Sequence, residues 1–396
     1  MAYRKLNYCL VCGSKELKKV LNLNKQPLAN SYLKSKNIKQ QQYELKVNCC
    51  LKCTHLQLSI AVDPEKIYKR YDYVSGTTLT YRKFMKKFYK ICIKNTSLLK
   101  KNILDIGCND GSQLDVFKSN NFQTYGIDPA KNIFKISSKK HKVICDFFTE
   151  KSVKKLKKKF DIIIAQNSFA HNPNPADFLI NAKKLMQSNS TIFFQTSQAD
   201  MCKNNEFDTI YHEHINYFNV KSMNKLTNRV GLNLHNVLRD PIHGTSYIFV
   251  IKLKSDKKNI IKILNKEKYL NYNFYLKWGK FCKKKVTFLQ KKINAIYKKK
   301  LVIGYGAAAK ANTFLNFSKI KLNLIVDDNK IKQNKFCPGS GIPIKSPNIL
   351  KKIKKNIYIL PLAWNFYKEI RNNIKNLRSS NKDKFILCYP NFKIQN

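Results

Sequence analysis

The sequence predicts an α/β protein with a central parallel sheet, a small cysteine-rich N-terminal module and a second parallel-sheet unit further along the chain. Two C-x-x-C pairs mark the module, at residues 9–12 and 50–53. From residue 101 onwards, short apolar runs alternate with turns and helical stretches, and the same alternation resumes at residue 301. This pattern is typical of parallel strands that are connected by helices.

The length of 396 residues leaves room for two or three domains. We expect the module over residues 1–75, which contain no long periodic segment, and the central α/β domain over 76–255. The second α/β domain occupies 256–396 and begins with a long, lysine-rich helical connector over 257–299. The predicted strands of the two α/β domains include residues 102–106, 123–127, 161–165, 191–194, 323–326, 356–360 and 385–389.

The composition limits the possible partners. The formal net charge of +52 comes from 76 Lys and Arg against 24 Asp and Glu, but only seven of the 76 are arginine. Arginine is the residue preferred for bidentate contacts with phosphates and bases, so we expect no nucleic-acid partner. The positive field should still favour an anionic substrate.

The chain shows neither an apolar signal segment nor an apolar run long enough to span a membrane. We therefore expect a cytoplasmic monomer without a membrane partner. Its twelve cysteines are then reduced thiols or metal ligands, since disulfides are rare in that compartment.

The two C-x-x-C pairs predict a metal site. Cys9, Cys12, Cys50 and Cys53 supply four thiolates, the ligand set that structural Zn²⁺ prefers in tetrahedral geometry. Cys49 breaks the two-residue spacing, and His55 is a weaker alternative ligand. A closed four-sulfur site has no open position for catalysis, so its role is structural.

A glycine-containing turn follows the first strand of the central domain. Gly107 and Gly111 allow backbone N–H groups to approach a ligand closely, and Asp105 precedes them. Asp128 ends the next strand, where an acidic side chain commonly binds ribose hydroxyls. A pyrophosphate cofactor would require G-x-G-x-x-G here. The sequence has G-x-N-D-G after an acidic residue, which favours S-adenosylmethionine.

Four consecutive polar residues, Tyr211-His212-Glu213-His214, follow the central domain's last predicted parallel strand. A phenol, a carboxylate and two imidazoles can move protons near neutral pH. The spacing differs from that of zinc proteases, where two histidines stand four apart on a helix. In an extended segment, His212 and His214 share one face. The alternative is a histidine-rich surface loop.

A second fingerprint occurs in the C-terminal domain. Gly304-x-Gly306-x-x-Ala309 follows a strand, and Asp327 lies 23 residues after Gly304. Alone, this pattern suggests an NAD-type site. The central domain already has a turn for a cofactor at residues 107–111, which we call the cofactor turn. Binding of an acceptor's diphosphate, with help from Lys310, is therefore the better interpretation of the second fingerprint.

The chain resembles the class I S-adenosylmethionine-dependent methyltransferases and, more narrowly, the C-methyltransferases that act on nucleotide-linked keto-deoxysugars. The resemblance covers essentially the whole chain. The matching strings lie at residues 9–12, 27–30, 50–58, 71–76, 105–111, 207–214, 242–244, 305–310 and 364–366. It implies a class I Rossmann-like methyltransferase sheet, a Rossmann-like C-terminal domain that holds the nucleotide-sugar, and methylation at C-3 of a 4-keto sugar.

The resemblance also implies roles for individual residues. His214 matches the general base, and Tyr211, Glu213 and Tyr73 match its active-site partners. The implied cofactor contacts are Asp105, Gly107, Asn109, Gly111, Asp128, Asp146, Phe147 and Asn167. The implied substrate contacts are His243, Lys310, Trp364 and Asn365. Thr245 departs from the family, which commonly has a second glycine there. His171 fits a helix-start residue or a methionine-side contact, and we expect a structural role more than a catalytic one.

Three alternatives remain open at this stage. A nucleic-acid methyltransferase with a zinc module would explain the charge. An NAD-dependent oxidoreductase would use Gly304–Ala309, although the acidic residues of the central domain argue against a degenerate methyl-donor site. In a non-catalytic scaffold, the four-residue polar segment at 211–214 would have no chemical role.

Overall fold

The structure is a computed structural model, and it describes residues 2–69, 71, 74–198, 200–256, 258–378 and 382–396. The chain divides into two compact units. Unit 1 comprises residues 1–18, 48–199 and 213–274, and unit 2 comprises residues 19–47, 200–212 and 275–396. The chain passes from unit 2 back into unit 1 between His212 and Glu213, inside the polar segment at 211–214.

The strands of the described residues follow one another in chain order. They are β1 (Tyr3–Lys5), β2 (Leu17–Gln26), β3 (Tyr43–Cys50), β4 (Leu56–Leu58), β5 (Ile60–Val62), β6 (Asn102–Ile106), β7 (Gln123–Ile127), β8 (Lys142–Ile144), β9 (Phe160–Gln166), β10 (Met186–Thr196), β11 (Asn216–Tyr217), β12 (Asn233–Asp240), β13 (Ser246–Lys252), β14 (Leu301–Tyr305), β15 (Leu324–Val326), β16 (Ile344–Lys345), β17 (Ile357–Pro361), β18 (Lys384–Leu387) and β19 (Lys393–Gln395).

The α-helices of the described residues are mostly short, except for α2 and α9. They are α1 (Pro64–Tyr68), α2 (Leu79–Lys94), α3 (Ser112–Lys118), α4 (Lys131–Ser137), α5 (Glu150–Leu156), α6 (Pro175–Lys184), α7 (Val220–Arg229), α8 (Lys258–Lys266), α9 (Tyr272–Tyr297), α10 (Ala309–Ser318) and α11 (Tyr367–Leu377). Single turns of 3₁₀ helix lie at Ser75–Thr77, Phe169–His171 and Trp364–Phe366, and a longer one at Pro347–Lys352.

Unit 1 is organised around a seven-stranded sheet in the order β12-β13-β10-β9-β6-β7-β8. The five strands from β10 to β8 are parallel, whereas β13 is antiparallel to β10 and β12. All five residues of β6 are buried, as expected for a parallel strand covered on both faces. Because the strands are parallel, the turns after β6, β7 and β9 lie at one edge of the sheet.

Unit 2 contains a six-stranded sheet in the order β16-β15-β14-β17-β18-β19. Only β19 is antiparallel to its neighbour. Helix α10 follows β14 and is buried on nearly every side. The structure therefore confirms the predicted α/β class with two parallel, Rossmann-like sheets.

Two elements differ from the sequence predictions. Strands β2 and β3 are long, with ten and eight residues, although no long periodic segment is evident in this part of the sequence. The burial pattern of β2 does not alternate, so the strand leaves no period-2 signal in the sequence. The predicted helical connector is broken into α8 and α9, and Glu267 lies at the break. The Glu267 carboxylate accepts hydrogen bonds from the Val220 N–H and the Tyr247 hydroxyl.

Among the described residues, no helix combines the length and the apolar composition that a membrane span requires.

Candidate active site

The four cysteines of the two C-x-x-C pairs form one cluster in unit 1. The Sγ atoms of Cys9, Cys12, Cys50 and Cys53 all lie within 4.8 Å of one another. The Cys9–Cys53 sulfur distance is 3.5 Å and the Cys12–Cys50 distance is 3.6 Å. Four sulfurs at about 2.3 Å from a tetrahedral Zn²⁺ would have similar separations, so the cluster fits this ion.

The surroundings of the cluster agree with a closed site. Cys9, Cys50 and Cys53 are buried, and hydrogen bonds from Cys53 and Cys9 lower the pKa of the Cys50 thiol. His55 is not among the ligands, because its Nε2 atom is 3.1 Å from Asn216 Oδ1. Burial lowers the pKa of His55 to about 4, so the imidazole is neutral at physiological pH.

The turn after β6 has the backbone that its glycines predict. Gly107 and Gly111 have φ values of 79° and 80°, and Asn109 has 48°. A Cβ atom at position 107 would lie 2.7 Å from Ser168 Cβ. Ser168 is fixed by the hydrogen bond from its Oγ to the Ile106 carbonyl oxygen, at 2.6 Å. Position 107 therefore requires glycine, because of both its positive φ and the close approach of Ser168.

Two acidic residues face this turn. Asp128 accepts the N–H of Asn109 and the N–H of Ala130, both at 2.9 Å. Asp105 is buried, and its Oδ1 atom has no hydrogen-bond partner. Burial, followed by the charges of Asp128 and Asp110, raises the pKa of Asp105 well above its ordinary value. A cationic ligand group beside Asp105 would favour its ionised form, which agrees with the sulfonium and amino groups of S-adenosylmethionine.

The remaining predicted cofactor residues lie at the ends of the neighbouring strands. Asn167 follows β9 with φ 52°, and its buried Oδ1 atom has no hydrogen-bond partner. Asp146 and Phe147 follow β8 and are half-buried. Lys155 Nζ lies 3.3 Å from the Asp146 carboxylate. Unpaired oxygens on Asp105 and Asn167, at one edge of the sheet, leave polar groups for a bound cofactor.

The second half of the polar segment at 211–214 belongs to a cluster in unit 1. Glu213 and His214 are both buried. The Tyr71 hydroxyl donates to Glu213 Oε2 at 2.8 Å. The centroids of the His214 and His171 rings lie 5.1 Å apart. The Tyr68 ring stacks on the His171 ring, with the centroids 5.7 Å apart. We call Tyr68, Tyr71, His171, Glu213 and His214 the imidazole cluster.

The imidazole cluster lies next to the cofactor turn in the fold. His171 ends the 3₁₀ turn after β9, four residues beyond Asn167. The Ile215 N–H donates to the Ala170 carbonyl oxygen, which fixes the segment after His214 against this turn. Burial and the neighbouring His214 lower the pKa of His171 well below its ordinary value. His171 therefore remains neutral at physiological pH.

The remaining residues of the polar segment, Tyr73 and the predicted substrate contact His243 occupy different places. Tyr211 and His212 lie in unit 2, where burial lowers the pKa of His212 to about 4 and its ring packs against Tyr43. Tyr73 lies outside the described residues. His243 lies in unit 1 with φ 58°, and its ring packs against Tyr81 at 5.2 Å.

The predicted substrate residues Lys310 and Trp364 lie together in unit 2. Lys310 Nζ is 4.4 Å from the centre of the Trp364 ring and 3.7 Å from Asp208 Oδ2. The same oxygen accepts the Trp364 indole N–H at 2.7 Å. Asn365, in the same 3₁₀ turn as Trp364, is half-buried. Burial, and then the charge of Asp208, raises the pKa of nearby Glu206 to about 7.

Sequence reasoning did not assign roles to four residues that the structure brings to these groups. Tyr71 belongs to the same Tyr-x-Tyr string as Tyr73, so a sequence signal existed. Asp208 lies in the string 207–214, three residues before Tyr211. His171 has only a weak sequence signal, as a helix-start residue or a methionine-side contact, and Tyr68 has none. Their positions depend on contacts between segments far apart in the chain.

Comparison with protein families assigns most of the chain. Residues 9–68 match a zinc binding domain, and residues 81–237 match a methyltransferase domain. Residues 241–390 match the family described as the C-methyltransferase C-terminal domain. The order of these three matches is the order predicted from the sequence.

Similar proteins include one curated enzyme along almost the full length. C-methyltransferase NovU of Streptomyces niveus is 25% identical over 406 residues, which cover 98% of this chain and 96% of that protein. An S-adenosylmethionine-dependent methyltransferase from Clostridium acetobutylicum is 13% identical, with a TM-score of 0.38 over 44% of this chain and 92% of that one. The plantazolicin methyltransferase BpumL is 15% identical, with a TM-score of 0.36 over 45% and 87%.

The family matches, the full-length similarity to NovU, the cofactor turn and the cysteine cluster agree with one another. The chain is therefore an S-adenosylmethionine-dependent methyltransferase that is similar to a C-methyltransferase along its length, with a zinc-binding module and a C-terminal domain that matches the C-methyltransferase model.

Proposed function

We propose that this enzyme methylates carbon 3 of a nucleotide-linked 4-keto-deoxysugar, and that His214 is the general base. One observation carries the proposal: a buried imidazole and a buried carboxylate, His214 and Glu213, belong to a cluster on the sheet edge that carries the cofactor turn. The resemblance to keto-deoxysugar C-methyltransferases supports the choice of substrate.

Methylation of carbon next to a ketone begins with removal of a weakly acidic proton. In the proposed step, His214 takes this proton, and the electron pair of the broken C–H bond forms the enolate. A general base whose pKa lies near the working pH contributes about 10²- to 10⁴-fold to the rate. S-adenosylmethionine, when bound, supplies an electrophilic methyl group to the enolate carbon.

The imidazole cluster suits His214 to this role. Because His171 remains neutral, it adds no positive charge that would oppose proton transfer to His214. The Glu213 carboxylate, which accepts the Tyr71 hydroxyl, supplies negative charge in the residue next to the imidazole. The developing enolate oxygen requires a hydrogen-bond donor, and the resemblance offers the hydroxyls of Tyr211 and Tyr73 for this role.

We assign the nucleotide part of the acceptor to Lys310, Trp364 and Asn365, with His243 as a further acceptor contact. A lysine next to an indole combines a cation for phosphate oxygens with an aromatic surface for a base. Asp208 holds both side chains in place through Trp364 Nε1 and Lys310 Nζ. The positive charge of the chain favours binding of this anionic substrate.

The test uses His214→Asn with a thymidine-diphosphate-linked 4-keto-deoxysugar. We expect methyl transfer to fall at least a hundredfold, because the base is lost. S-adenosylhomocysteine affinity, measured by calorimetry, should remain within about twofold, since the cofactor turn is unchanged. With S-adenosylhomocysteine bound in deuterium oxide, the wild type should exchange the proton at carbon 3, and the variant should not.

His235→Asn is the matched control, because His235 lies in strand β12 and its Nδ1 contacts the Ser255 hydroxyl, far from the cofactor turn along the sheet. It should retain methyl transfer and exchange. Near-normal turnover by His214→Asn would remove the base assignment, and a methyl group found on oxygen would contradict carbon methylation.

A further inference from the structure

Two tyrosines from the zinc-module side of the chain contact the proposed base and its neighbours. The Tyr71 hydroxyl donates to the buried carboxylate of Glu213 at 2.8 Å. The Tyr68 ring is nearly parallel to the His171 ring, with an interplanar angle of 11°, and its hydroxyl lies 3.4 Å from the Glu213 carbonyl oxygen. Both tyrosines therefore contact groups directly adjacent to His214.

The backbone of Tyr71 is held by helix α4, which follows strand β7 and Asp128. The Asn132 side chain accepts the Tyr71 N–H at 3.1 Å and donates to the Tyr71 carbonyl oxygen at 2.8 Å. The Lys131 N–H also donates to the Lys69 carbonyl oxygen. Both residues open helix α4, which begins three residues after Asp128. Tyr71 thus lies between the start of α4 and the carboxylate of Glu213.

We propose that Tyr71 is a positioning residue for methyl transfer, an inference that rests on the proposed function. Its hydroxyl orients the Glu213 carboxylate and favours the ionised form next to His214, while Asn132 fixes the tyrosine relative to helix α4. A donor hydrogen bond to a buried carboxylate is charge-assisted, so it is stronger than a neutral one and sets the carboxylate's rotamer.

The experiment removes only the hydroxyl, with Tyr71→Phe. We expect kcat on the keto-sugar to fall about tenfold or more, with unchanged S-adenosylhomocysteine affinity. The acid limb of the kcat–pH profile, which reports the proposed base, should move to higher pH, because a carboxylate without its donor presents more negative charge and favours the protonated form of His214. In a Glu213→Gln background, the same substitution should have a much smaller effect, since Tyr71 acts through Glu213.

The chain contains a closely matched control. The Tyr247 hydroxyl donates to Glu267 Oε1, also at 2.8 Å, and Glu267 is buried in the same unit. That glutamate accepts the N–H of Val220 at the start of α7, so the pair supports a helix and not the imidazole cluster. Tyr247→Phe should lower the melting temperature while leaving kcat and the pH profile of the folded enzyme unchanged.

The outcomes separate this inference from the proposed function. Wild-type kcat and pH profile in Tyr71→Phe, or an undiminished effect in the Glu213→Gln background, would overturn it while the proposed function stands. If wild type and Tyr247→Phe both fail to methylate the sugar, the proposed function fails. In that case, the melting temperature of Tyr71→Phe still tests the inference. Its decrease relative to the wild type should be largest at pH 8 and should shrink as the pH falls, because the carboxylate then becomes protonated. A deficit that is constant with pH would overturn the inference.

Discussion

The turns after β6 in unit 1 and after β14 in unit 2 are built in the same way. Each contains a glycine with positive φ, 79° at Gly107 and 93° at Gly306. Each is also held by an aspartate at the end of the next strand. Asp128 accepts the Asn109 N–H at 2.9 Å, and Asp327 accepts the Ala307 N–H at 2.7 Å.

The two turns differ in what covers them. In unit 2, Lys332 Nζ lies 2.9 Å from the Ala307 carbonyl oxygen and 3.6 Å from the Asp327 carboxylate. The Tyr32 hydroxyl donates to the same carbonyl at 2.5 Å, and Lys332 also lies over the Tyr32 ring. In unit 1, by contrast, Asp105 Oδ1 is buried without a hydrogen-bond partner.

A glycine fingerprint therefore predicts the backbone of a turn but not its use. In the unit 2 turn, the Ala307 carbonyl and N–H are both satisfied by side chains of this chain. Beside the unit 1 turn, Asp105 has a buried oxygen that a cofactor can engage. This difference favours a methyl-donor site in unit 1 and weighs against the oxidoreductase alternative, which requires a nucleotide at Gly304–Ala309.

The largest expected contrast comes from adding one methyl group to each turn. Gly107→Ala should lower S-adenosylhomocysteine affinity more than a hundredfold, because the positive φ costs about 1–2 kcal/mol and the new Cβ lies 2.7 Å from Ser168 Cβ. Gly306→Ala, with a Cβ 3.0 Å from Ala363 Cβ, should lower only the stability. Calorimetry measures the affinity for S-adenosylhomocysteine, and thermal unfolding measures the stability of each variant. Normal binding by Gly107→Ala would show that the cofactor does not use this turn.

A smaller contrast is expected for the two aspartates. Asp128→Asn should weaken S-adenosylhomocysteine binding about tenfold or more, because hydrogen bonds to a charged group contribute about 1.5–3 kcal/mol. Asp327→Asn should destabilise unit 2 by about 1–3 kcal/mol, because the amide cannot replace both acceptor oxygens. The dissociation constant for S-adenosylhomocysteine should be unchanged in this variant. The comparison fails if the two variants weaken binding equally in calorimetric titrations.

The sequence was sufficient for features that depend on local pattern. The parallel strands, the positive-φ glycines and the four cysteine ligands follow from residue type and spacing. It was insufficient where distant segments meet. No local signal predicts the hydrogen bond between Tyr71 and Glu213, which are 142 residues apart. The same holds for the hydrogen bond from the Tyr32 hydroxyl to the Ala307 carbonyl oxygen, across 275 residues. The break at Glu267 is similar, because its cause is a contact with Val220 and Tyr247.

The smallest expected effect is an absence of binding at the second turn. NADH should not bind the wild type with a dissociation constant below about 1 mM. Asp327, the acidic residue that would bind the ribose, already accepts the Ala307 N–H and lies beside Lys332. NADH fluorescence measures this, with S-adenosylhomocysteine calorimetry on the same sample as the positive control. The variant Lys332→Met with Tyr32→Phe removes both polar contacts and should lose stability without gaining micromolar affinity, since helix α10 stays buried on nearly every side. Micromolar binding by the wild type would mean that the two turns are alike in function, and that the second is a dinucleotide site after all.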